Sequence, residues 1–127
     1  MRRLLIGLVA LGTVSCFSNI EGTSTVTGTY TLRTINGVAP PVTPTGSTTQ
    51  VVDDAYTLFQ GNTYSQTAHT RASATGSIAT TTASGSYGLQ GTSVTFTNGV
   101  TGAQSVAIIN VNTMTFLVAG TTSIYMK

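Results

Sequence analysis

The chain has 127 residues, of which 6% are charged, 27 are threonine and one is cysteine, with a formal net charge of +2. That length supports one modest core rather than two, and a lone thiol rules out an intrachain disulfide framework. The few scattered cations exclude the clustered basic surface with which nucleic-acid binders displace phosphate counterions.

Met1-Arg2-Arg3 places two positive charges ahead of the apolar run 4–14, an n-region followed by an h-region. Eleven helical residues span about 16 Å, half of a hydrocarbon core of roughly 30 Å, so the run reads as a signal peptide rather than a permanent span. Gly12-Thr13-Val14-Ser15-Cys16 then sets a small residue directly before the only cysteine. This resembles a bacterial lipobox. The resemblance implies lipidation of the Cys16 thiol, cleavage before it and acylation of the new amino terminus, with membrane lipid as the partner. Two or more acyl chains hold a protein at a membrane essentially permanently. Ordinary cleavage near Ser15 or Ser18, giving a soluble exported protein, is the alternative. Phe17 after the cysteine, where an aspartate could stand, resembles lipoproteins forwarded to an outer membrane. The expected address is the bacterial cell envelope, on the periplasmic face of that membrane.

The expected organisation is a signal peptide over 1–15, a lipidated cysteine and tether over 16–24, and one β-domain over 25–127. Removing Arg2 and Arg3 leaves Arg33, Arg71 and Lys127 against Glu21, Asp53 and Asp54, a net charge near zero.

Threonine, valine and aromatic residues suit a pleated, half-buried surface. From Thr25, residues Val26, Gly28, Tyr30 and Leu32 share one parity and threonines the other, which predicts a strand with one dry face, ending at Asn36-Gly37. Pro40, Pro41 and Pro44 exclude a central strand, so 38–47 is expected as an extended loop. A strand over 48–53, a turn at Asp53-Asp54 and a return over 55–60 follow, then a turn at Gly61-Asn62 and a strand over 63–70. The segment 71–84 has Ile78 as its one large apolar residue and is expected as an edge strand or wide loop. Hairpins resume with 85–89, 94–97, 103–110, 114–118 and 122–126, separated by Gly91, Asn98-Gly99, Asn110–Asn112 and Ala119-Gly120. The expected inward set is Val26, Tyr30, Leu32, Tyr56, Leu58, Tyr64, Ile78, Tyr87, Leu89, Val94, Phe96, Val106, Ile108, Met114, Phe116, Val118, Ile124 and Met126.

A meander of about eight short strands removes its edges by closing, so the fold class is all-β, a small antiparallel up-and-down barrel. An open twisted sheet and an immunoglobulin-like sandwich are the alternatives. The run Gly28–Gly37 with Pro40-Pro41 behind it, and the pieces Tyr56-Thr57-Leu58, Asn62-Thr63-Tyr64 and Gly85–Phe96, resemble small lipocalin-like barrels of bacterial lipoproteins without an assigned function. That resemblance covers 24–127 and implies a fold and an address, with no catalytic residues to transfer.

Chemistry is sparse. His69 is the only histidine, no Gly-x-Ser-x-Gly elbow is present, and Asp53 and Asp54 are adjacent, so on a strand they would face opposite ways. The reading is therefore non-enzymatic, with no cofactor and no metal. Two binding alternatives stand beside a passive envelope role. One is a small hydrophobic ligand in the barrel mouth, lined by Tyr30, Tyr56, Tyr64 and Tyr87, whose rings join apolar faces to hydroxyls. The other is a protein interaction through an exposed strand edge near 71–84.

Overall fold

A computed structural model describes residues 26–72 and 76–127. The signal peptide, Cys16 and the tether expected over 1–24 lie outside the described residues. Eight strands follow in chain order: β1 Gly28–Ile35, β2 Gln50–Phe59, β3 Thr63–Arg71, β4 Ala79–Gln90, β5 Ser93–Asn98, β6 Gln104–Asn110, β7 Thr113–Val118 and β8 Thr121–Met126. Each pairs antiparallel with the next, and β1 pairs with β8, closing an up-and-down barrel.

The turns form where residues tolerate positive φ. Asn36-Gly37 has φ of 50° and 82°, Gly61-Asn62 has 87° and 66°, and Ala119-Gly120 has 50° and 80°. After β1 the loop is held by backbone bonds from Val42 to Val51 in both directions, so the proline-rich stretch is an ordered strap across the start of β2. Odd-numbered connections, from β1–β2 to β7–β8, cluster at one rim of the barrel. At the other rim the start of β1 meets the C-terminus, where Lys127 Nζ donates to the Thr27 carbonyl at 3.1 Å and sits 5.4 Å from the centroid of the Tyr30 ring.

The interior is a single apolar cluster containing Tyr30, Leu32, Ile35, Tyr56, Leu58, Tyr64, Tyr87, Val94, Phe96, Ala107, Ile109, Met114, Phe116 and Tyr125. Outward positions on β1–β5 are dominated by Thr, Ser and charged groups such as Thr31, Asp53, Thr57, His69 and Thr95. A membrane-spanning barrel needs the reverse arrangement, with an apolar band outside.

Four sequence expectations are corrected. Asp53-Asp54 is not a turn: β2 runs through it to pair with β3 as far as Gln50 opposite Arg71, with a bulge between Val51 and Asp53. Asp54 shares the parity of Tyr56 and Leu58, with no register shift between them, and so faces inward. In β6 the inward parity is the other one, since Val106 and Ile108 are 52% and 49% exposed while Ala107 and Ile109 are 1% and 5% exposed. Register explains this: Ala107 lies between Val94 on β5 and Phe116 on β7, where the large ring leaves room for only a small neighbour. In β8 the inward residue is Tyr125, with Ile124 half-buried and Met126 exposed, because Tyr125 pairs with inward Met114. Val118 and Ile78 are also exposed. Ile35, off the parity of Leu32, is buried because a bulge between Leu32 and Thr34 shifts the phase.

The segment 71–84 divides. Arg71 ends β3, and residues 79–84 form the first half of β4, laddered to β3. Pairing of β4 with β5 starts at Gly85 opposite Asn98. Gly85 is required there, since a Cβ would sit 2.0 Å from the Thr97 carbonyl oxygen.

Candidate functional site

The inward face of β2 carries Asp54, Tyr56 and Leu58, and strand pairing sets Gln66 opposite Tyr56. The Asp54 carboxylate accepts a hydrogen bond from the Tyr125 hydroxyl at 2.6 Å and bonds from Gln66 Nε2 at 3.1 Å to each oxygen. Burial raises the Asp54 pKa above the usual carboxylate range. Bonds from Tyr125, Gln66 and the Ala55 backbone pull it back in part. A carboxylate removed from water is costly unless hydrogen-bonded, and here every donor comes from a different strand or from its own backbone. The arrangement ties β2, β3 and β8 together through one interior group.

Around it the aromatic rings form a continuous column. Tyr56 lies 5.1 Å from Phe96, 5.3 Å from Phe116 and 5.3 Å from Tyr125 between ring centroids, the last contact edge-on. Tyr64 meets Phe96 edge-on at 4.9 Å. Such offset and edge-on pairs are the favoured geometries. Of the four tyrosines expected to line a ligand site, all face inward and belong to the core. Two spend their hydroxyls on the barrel itself, Tyr30 donating to the Val26 carbonyl at 2.8 Å and Tyr87 to the Phe59 carbonyl at 2.9 Å. Among the described residues no buried side-chain polar atom lacks a hydrogen-bond partner.

Asp53 and His69, directly opposite across β2 and β3, lie on the outer wall with His69 Nδ1 2.5 Å from Asp53 Oδ1. Beside them Arg71 Nε donates to Gln50 Oε1 at 2.6 Å. Among the described residues no group of three or more His, Cys, Asp or Glu could hold a metal ion. Sequence reasoning missed Asp54, Gln66 and Tyr125 as a unit. The available signal was the adjacency of two aspartates, which on a continuous strand forces one of them inward.

Clefts among the described residues open on the outer surface. One, of about 560 Å³, lies where β4 parts from β5, between Gln66, Thr82, Ser84, Asn98 and Val100. Another, of about 650 Å³, runs over β6 and β7 between Val106, Ile108, Thr115 and Leu117.

Comparison with known proteins adds one likeness. No family model and no curated protein matches the chain. A solved structure, a lipocalin-like protein from Bacteroides uniformis, is 17% identical over 81% of this chain and 98% of its own, with a TM-score of 0.46. The eight-stranded closed barrel stands on its own strand ladders.

Proposed function

We propose that this chain is a membrane-anchored envelope lipoprotein whose β-barrel is non-catalytic. The observation that carries the reading is where Cys16 falls in the sequence, just after the apolar run 4–14 and ahead of the first described strand. Val26 is the first described core residue and Gly28 opens β1, so cleavage before Cys16 and acylation of its thiol leave every described strand and core contact in place. The nine residues 17–25 reach at most about 30 Å when extended, a tether long enough to stand the barrel off the headgroups.

The commitments of the ionisable groups support a non-catalytic barrel. His69 is engaged with Asp53 on the outer wall, and Asp54 is engaged with Tyr125 and Gln66 inside the core. Neither pair is arranged as a nucleophile, base and orienting group about a common point. The continuous ring column favours a packed interior over a carrier of a small hydrophobic ligand, since a ligand would have to displace rings already in contact.

The test is expression in a bacterial host with labelled fatty acid. The natural chain should take up the label and fractionate with membranes, and Cys16→Ser should lose both while keeping the circular dichroism of the folded barrel. A soluble natural chain, or label retained by Cys16→Ser, overturns the reading.

A further inference from the structure

Beyond the rim at which β5 ends, β4 has a partner on one side only among the described residues. The β3 ladder covers Ala79 to Ser86, whereas the β5 ladder begins at Gly85. The direction of the unused groups follows from two bonds. Tyr87 N–H donates to the Asn62 carbonyl on the β3 side, and the Ser84 carbonyl accepts from Gly99 N–H on the other side. Backbone groups alternate along a strand, so those of Thr80 and Thr82 point away from β3, and no described residue pairs with them.

The edge reads the same in both directions: Ala79-Thr80-Thr81-Thr82-Ala83. Natural edge strands are commonly guarded by lysine, proline or an inward charge. From 72 to 126 this sequence has no Asp, Glu, Lys, Arg, His or Pro, so nothing repels an approaching strand of the same kind.

We infer that this edge is a self-association site, at which β4 of one molecule pairs antiparallel with β4 of a second copy about a two-fold axis through Thr81. A two-fold interface sets residue i against j and j against i. Thr80 then faces Thr82 of the partner subunit, and the two exchange both backbone bonds; the symmetric pair does the same, giving four. The Thr81 pair falls at a non-hydrogen-bonded position, with Cα atoms about 4.5 Å apart. Cross-strand threonine pairs already occur in this barrel, as between Thr29 and Thr57 with hydroxyl oxygens 3.0 Å apart.

Two exposed apolar residues gain a role in the same register. Ile78, 54% exposed, continues the strand by one residue and comes opposite Ser84 of the partner subunit, at the mouth of the 560 Å³ cleft beside Val100, itself 93% exposed. Five paired residues and two anchors make a contact below the ~1,200 Å² of a stable interface. The dimer is therefore weak in free solution and populated where copies are concentrated.

The test uses the exported chain carrying Cys16→Ser, so that an added cysteine is the only thiol, at concentrations near ~1 mM, where a weak pair with a Kd of that order is populated. Thr81→Cys should form a disulfide-linked dimer under mild oxidation, because its Cα separation falls within the ~4.4–6.8 Å range of disulfides. Thr57→Cys, on the outer wall of β2, should not. Adding Thr80→Pro removes an N–H that faces the open edge and spares the β3 ladder, and should abolish the Thr81→Cys dimer with the barrel still folded by circular dichroism. Equal dimer from Thr57→Cys, no dimer from Thr81→Cys, or dimer unaffected by Thr80→Pro overturns the proposal.

Discussion

All five tyrosines of the chain, Tyr30, Tyr56, Tyr64, Tyr87 and Tyr125, lie in the barrel interior. Burial raises the pKa of each above the ordinary phenol value, and the Asp54 carboxylate raises Tyr56 and Tyr125 further. A raised folded-state pKa means that stability is complete below the unfolded value of about 10 and is lost as pH rises above it. Tyrosinate absorbance should therefore rise later than that of free phenols and together with loss of β-sheet circular dichroism. A smooth titration of several tyrosines in the folded protein would contradict this. Asp54 gives the acid-side counterpart. Because its pKa is raised, the folded state keeps a proton that the unfolded state releases, and the group's contribution declines as pH rises from about 3.9 through the folded value. Asp54→Asn, which cannot ionise and still accepts from Tyr125, should remove that decline. The urea midpoint of the variant minus that of the natural chain should then increase with pH across this window.

At the scale of strands, the sequence showed where chain reversals fall more clearly than which side of a strand is wet. The turns at Asn36-Gly37, Gly61-Asn62 and Ala119-Gly120 were legible because each needs positive φ, which few residues tolerate. Alternation worked for β5, for β1 as far as Leu32 and for β7 as far as Phe116, where threonine marks the outer face. It failed for β6, because Val-Ala-Ile-Ile is apolar on both parities and the decision rests on the neighbours Val94 and Phe116. The Asp54 site was hidden for a different reason: an Asp-Asp pair suits a turn, and only the unbroken ladder with β3 carries the strand through it and sets Asp54 on the parity of Tyr56 and Leu58. Truncations read the β6 assignment directly: Ile109→Ala should cost about 2–5 kcal/mol and Ile108→Ala less than about 1 kcal/mol by urea denaturation. Gly85→Ala should cost about 1–3 kcal/mol, as its methyl would meet the Thr97 carbonyl unless β4 and β5 separate.

Across the whole molecule, the barrel's surface is divided. Its described charges sit on β1, β2 and β3 and at Lys127, while the wall from β4 to β8 is neutral and carries exposed Val106, Ile108 and Leu117. The interior joins the strands through rings and one shared carboxylate, with the described chain ends at a common rim and the open β4 edge at the opposite one. That layout suits a domain held at a surface by one end, with its far rim available to a neighbour. Closure was legible from the sequential hairpins, whereas the overhang of β4 beyond β5 was not, because it follows from unequal strand lengths set by pairing. The most direct test of lipid anchoring is the intact mass of the protein isolated from its native host membrane. The account predicts a polypeptide that begins at Cys16 and carries acyl groups. An unacylated chain in the soluble fraction, cut near Ser15 or Ser18, would contradict it.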